Sequence, residues 1–145
     1  MSTDSKINRA DVDDDVIGNI GYVPPHLLTE HVDVVVAGIR TIKFRMYGRT
    51  KLVFDLRIIE PQAHAGERLP MYVRVERDWK TLPIASKLFR IACVATGRVI
   101  RDTKVRKSWF IGQVFRGQVR QVGKPPATYS VVETLFERLT GPKDL

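Results

Sequence analysis

From His31 onward, apolar residues alternate with polar ones over much of the first half of the chain. In "HVDVVVAGIRTIKFRM" (31–46), Val32, Val34 and Val36 fall on one side of a two-residue repeat, the pattern of a half-buried strand. Gly38 interrupts that repeat, where a bulge or sharp coil is expected, and the restart assigns Ile42, Phe44 and Met46 to the interior. "KLVFDLRII" (51–59) places Leu52, Phe54, Leu56 and Ile58 on one face and Lys51, Val53, Asp55 and Arg57 on the other. Gly48 permits the bend between these two strands. After the loop "EPQAHAGERLP" (60–70), "MYVRVE" (71–76) turns Met71, Val73 and Val75 inward and Tyr72, Arg74 and Glu76 outward.

The period then lengthens. Ile84, Leu88, Ile91, Ala92 and Ala95 recur at helical spacing and predict a helix over 83–96, with Pro83 in its first turn and Gly97 as its stop. A basic connection (97–107) leads to "SWFIGQVFRGQVRQV" (108–122), read as a long strand broken by Gly112 and Gly117. In "TYSVVETLFERLTG" (128–141), Ser130 and Glu133 have capping-box spacing, and Val131, Leu135 and Leu139 have helical spacing. A short strand near 127–130 running into a helix over 131–140 is therefore expected.

Three strands, a helix, a strand and a short strand is the connectivity of the OB-fold. A sandwich or an SH3-like barrel does not call for a helix at that point. The expected fold is mainly β: an OB-fold-like five-stranded Greek-key barrel with a helix between strands 3 and 4 and a short C-terminal helix. Residues 1–27, polar, acidic and ending in the extended "YVPPHL" (22–27), are expected to form a flexible arm, and 28–145 a single nucleic-acid-binding domain.

At 145 residues the chain is long enough to bury roughly 68–70% of its unfolded surface without staples. Cys93, the single cysteine, has no partner for an intramolecular bridge, and it flanks the apolar stripe of the helix, so it reads as a core residue and not a nucleophile. With no charged-then-apolar leader and no apolar run near the ~20 residues of a membrane span, the expected location is the cytoplasm, with no membrane partner. The net charge of +8 is unevenly spread. Residues 1–37 carry two bases against seven acids, and the rest carries 22 bases against nine, so a body of +13 follows an arm of −5. Such a body attracts polyanions.

Catalytic patterns are missing from the sequence. His26, His31 and His64 are scattered without cysteine partners or an HExxH motif, so neither a metal nor a cofactor is expected. "GQVRQVGKP" (117–125) has the wrong glycine spacing for a phosphate loop and carries Pro125 where Ser or Thr would hold magnesium. Glu76 and Asp78 sit among Arg74, Arg77 and Lys80, as surface ion pairs do. No enzymatic activity is expected.

The alternation that sends apolar residues inward sends their neighbours outward. Lys43, Arg45, Lys51, Arg57, Tyr72 and Arg74 are expected to form a cationic face with an aromatic in it, and Tyr47 and Arg49 to stand at the bend of the first hairpin. Single-stranded nucleic acid needs both ingredients, cations for phosphates and flat rings on which bases stack. Trp79, Trp109 and Phe115 are further stacking candidates, with core or edge packing the favoured reading of Phe115. The strand order, the long basic first hairpin and "FIGQVFRGQV" (110–119) resemble OB-fold single-stranded DNA-binding proteins of phages, plasmids and integrative elements, over about residues 31–135. The resemblance implies a sequence-tolerant single-stranded DNA-binding protein acting in replication, recombination or transfer, with replication or recombination proteins as partners. Such proteins often carry an acidic C-terminal tail, whereas here the acidic run "DVDDD" (11–15) lies near the other end. RNA remains open as the ligand, as does docking to an acidic protein or self-association through Val131, Leu135, Phe136 and Leu139.

Overall fold

A computed structural model describes residues 22–44, 49–76, 82–101 and 104–140. Five strands form one antiparallel sheet: β1 (His31–Phe44), β2 (Arg49–Glu60), β3 (Arg68–Glu76), β4 (Val114–Val122) and β5 (Tyr129–Arg138), in the order β3-β2-β1-β4-β5. One helix, α1 (Lys87–Thr96), lies between β3 and β4. The apolar rows meet in one core in which Val34, Val36, Leu56 and Met71 surround a chain of rings. Phe54 meets Phe110 edge to face at 5.1 Å, and Phe110 lies 6.2 Å from Phe115.

The ends of the sheet come back toward each other. β3 and β5 lie side by side, yet no ladder joins them among the described residues. Helix α1 packs against both strands with Leu88, Ile91, Ala92 and Ala95 buried. The Lys87 amine donates to the Tyr72 carbonyl at 2.9 Å, satisfying an edge carbonyl of β3. Burial lowers the pKa of Lys87, outweighing the attraction of Glu133, and Arg120 and Arg90 push it the same way.

The extended segment 22–30 is a second fastening. Ser130 donates its N–H to the Pro25 carbonyl and accepts the Leu27 N–H on its hydroxyl at 2.8 Å. Gln121 holds the Leu27 carbonyl, and Val119 the Glu30 carbonyl. Leu27 is thereby sealed in the core.

Several sequence expectations change. The helix begins at Lys87, because Ser86 takes the cap position and accepts the Phe89 N–H at 3.2 Å; Pro83 belongs to the preceding turn, and Ile84 is exposed. Gly97 does end it, at φ 72°.

The expected C-terminal helix over 131–140 is instead strand β5. β5 slips register against β4 twice, at Glu133 and Phe136, and each extra residue stretches the inward spacing from two to three. Val132 and Leu135 therefore share the interior face at a separation that imitates a helix. Ser130, read as a cap, is the one buried polar residue among those described, and Val131 and Leu135 are buried and so unavailable for self-association.

Gly117 lies within β4 and does not break it. A β-carbon there would stand 2.8 Å from a methyl of the buried Val132 and 3.2 Å from the Thr134 carbonyl oxygen. Gly117→Ala should therefore destabilise the protein by about 1–3 kcal/mol in urea denaturation. Gly38→Ala, whose β-carbon would meet nothing within 4 Å, should change stability by less than about 1 kcal/mol.

Candidate nucleic-acid interface

The pleat gives β2 and β3 a shared outer row. Its rungs are Lys51 opposite Arg74, Val53 opposite Tyr72, Asp55 opposite Pro70 and Arg57 opposite Arg68. Two of the four set like charges directly across from each other, an arrangement that costs stability. Between them stands Tyr72, 41% exposed, with the Lys51 amine 5.7 Å from its ring centre. From Lys51 to Arg57 the row spans about 20 Å at ~3.3 Å per residue. Arg74 is held by Glu76 at 2.9 Å, so that rung is partly offset.

β1 joins this row differently from the sequence expectation. Val36 pairs with Leu56 and Gly38 with Asp55, so Ala37 is the extra residue of a bulge that reverses the parity of the rest of the strand. Ile39 then packs on the core, Arg40 stands opposite Val53, and Ile42 stands opposite Lys51. The expected inward positions 42 and 44 thus fall on the outer row, and position 43, paired with Thr50, falls in the row of Leu52. Among the described side chains, Arg40 is the cation that β1 contributes to this row.

Lys51, Arg57, Tyr72 and Arg74 share one exposed face, as expected. Arg49 pairs with Glu76 at the end of β2; the side chains of Lys43 and Arg49, and all of Arg45, Tyr47 and Trp79, lie outside the described residues. Trp109, in a 3₁₀ turn (Lys107–Trp109), is half-buried against the core. In the same turn the Lys107 amine reaches the Ile39 carbonyl at 3.4 Å, bringing the basic connection against β1 beside Arg40.

A pocket of about 410 Å³ opens on this face. Its lining includes Arg40, Val53, Asp55, Arg68, Tyr72 and, from other parts of the chain, Tyr22 and Tyr129. Tyr22 is fixed by its hydroxyl, which accepts the Arg68 N–H at 3.0 Å and donates to the Arg68 carbonyl at 3.2 Å, while the Arg68 guanidinium lies 4.3 Å from its ring. Sequence reasoning missed Arg40, Arg68, Tyr22 and Tyr129. The "AG" at 37–38 was the signal for Arg40, and the alternation of Arg68, Pro70, Tyr72 and Arg74 was the signal for Arg68. Tyr22 lies in a segment without periodicity.

The other outer surface is built on a different rule. Arg116 of β4 bonds Asp33 of β1 at 2.9 Å and Glu137 of β5 at 3.3 Å, and Arg120 pairs with Glu133. The hydrogen bond to Asp33, followed by its negative charge, raises the pKa of Arg116. Charges are thus paired across β1, β4 and β5, whereas two rungs of β2 and β3 oppose like charges. Among the described residues no group of three His, Cys, Asp or Glu is placed to hold a metal, and no helix is long and apolar enough to cross a membrane. No protein-family model matches the chain, and no curated protein matches it.

Arg57→Gln removes one like-charge rung. It should raise stability at low salt by about 0.2–1 kcal/mol in urea denaturation, with the gain shrinking toward zero at about 1 M salt as screening takes over.

Proposed function

We propose that this protein is a non-catalytic single-stranded DNA-binding protein of OB-fold type that lays the strand across the outer face of β1, β2 and β3. The observation that carries this reading is the pair of like-charged rungs on either side of an exposed tyrosine. A face selected for stability alone would match its charges, as β1, β4 and β5 do. Opposed cations about 20 Å apart along a strand are placed to meet successive phosphates of a bound strand. Tyr72 between them supplies a ring on which a base stacks, and Arg40 and Arg68 continue the phosphate track.

The spatial order β4-β1-β2-β3 supports a Greek key, and a helix between the third and fourth strands that packs at the β3–β5 seam supports the OB arrangement. A duplex reader would present a basic helix to the major groove. In α1, Lys87 instead turns to the Tyr72 carbonyl and Arg90 to the Ala85 carbonyl, so the helix has no basic face to offer. Backbone contacts and stacking tolerate most sequences, a property suited to replication, recombination or transfer of DNA.

Affinity for oligo-dT, measured by fluorescence anisotropy, should fall with salt at a log–log slope near −0.7 per phosphate neutralised. Affinity unchanged by salt would remove the phosphate contacts and with them the proposal. Tyr72→Ala should cost about 1–3 kcal/mol of binding with little loss of stability, since the ring is exposed. Matched oligo-dT and oligo-U titrations separate DNA from RNA, and tighter oligo-U binding would reassign the ligand to RNA.

A further inference from the structure

We propose that the pocket around Asp55 selects one guanine base out of the bound single strand; this rests on the reading of the face as a single-strand binding surface. Asp55 is a carboxylate in the middle of a cationic row, where a phosphate would be repelled. Its cross-strand neighbours are Gly38 on one side and Pro70 on the other. Gly38 has no side chain and its outer side is open, since a β-carbon there would meet nothing within 4 Å. Asp55 and Pro70 of this rung line the pocket of about 410 Å³, a size within the ~300–1,000 Å³ range of small-ligand sites.

Walls and floor suit a planar ring. Tyr22, Tyr72 and Tyr129 line the pocket, and Val53, 1% exposed, forms an apolar floor beside Asp55. Tyr22 is held rigidly in the wall by two hydrogen bonds to the Arg68 backbone. Among the described residues Asp55 has neither an ion pair nor a side-chain hydrogen bond, although Arg40 and Arg68 line the same pocket. An acceptor-only group there without a partner among the described residues is set to receive donors from outside.

The choice of base follows from donor patterns. Guanine offers two adjacent donors, N1–H and the N2 amino group, which match the two oxygens of a carboxylate. Thymine and uracil offer one N–H between two carbonyl oxygens that a carboxylate repels. Adenine and cytosine offer an amino group beside an acceptor nitrogen, so each makes one bond and one repulsion. Arg40 and Arg68 remain available to the flanking phosphates.

The test compares a labelled dT oligomer of about twelve residues with the same oligomer carrying one central dG, dA or dC, by anisotropy at low salt. Wild-type protein should bind the dG oligomer about fivefold to a hundredfold tighter than dT, and dA and dC within about twofold of dT. Asp55→Ala, with folding checked by thermal melting, should still bind dT and lose the preference for dG. Equal affinity for dG and dT, a preference for dA or dC, or a guanine preference that survives in Asp55→Ala overturns the pocket assignment while dT binding preserves the reading of the face. Failure to bind any of the oligomers overturns the reading of the face itself.

Discussion

A strand has two faces, and the ring-filled core claims one of them along β1, β2 and β3. Phe54, Leu56, Met71 and Val73 are completely buried, so the residues between them have one place to go. That constraint assembles the outer row without any other positioning device: Lys51, Arg57, Arg68, Tyr72 and Arg74 are coplanar because their neighbours are core. A one-residue slip would invert the row and expose the rings, a far larger loss than the like-charge contacts the row carries. The fold can therefore hold an unfavourable charge arrangement on this face because packing on the other face enforces the register.

The unpaired seam between β3 and β5 shapes the site in a second way. An open edge must be covered, and here Lys87, helix α1 and the segment 22–30 cover it. The segment does more than fasten. Its anchorage at Ser130 and Arg68 brings Tyr22 to the edge of the outer face, and the start of β5 brings Tyr129, so that an open surface becomes a pocket. Ser130 links the two roles, since its buried hydroxyl accepts the Leu27 N–H and donates to Gln121.

Most of the architecture was legible in the sequence where the period was clean. β2, β3 and the helix between β3 and β4 follow from alternation and helical spacing, and Lys51, Arg57, Tyr72 and Arg74 were placed on one face by parity alone. The errors sit at bulges. A bulge adds one residue, which turns a period of two into three: at Ala37 this moved Arg40 into the row in place of Lys43, and in β5 it made a strand look like a helix. The pocket was illegible for another reason. Tyr22, Asp55 and Tyr129 belong to three separate parts of the chain, and only the approach of β3 to β5 and the anchoring of segment 22–30 bring them together.

The proposal that a single strand lies across the outer face of β1 to β3 is tested directly by amide chemical-shift mapping. Titration of the ¹⁵N-labelled protein with oligo-dT should perturb Arg40, residues 51–57 and residues 68–74, leaving Arg116, Arg120, Glu133 and Glu137 nearly unmoved. Perturbations confined to β4 and β5, with the β2–β3 rungs silent, would contradict it.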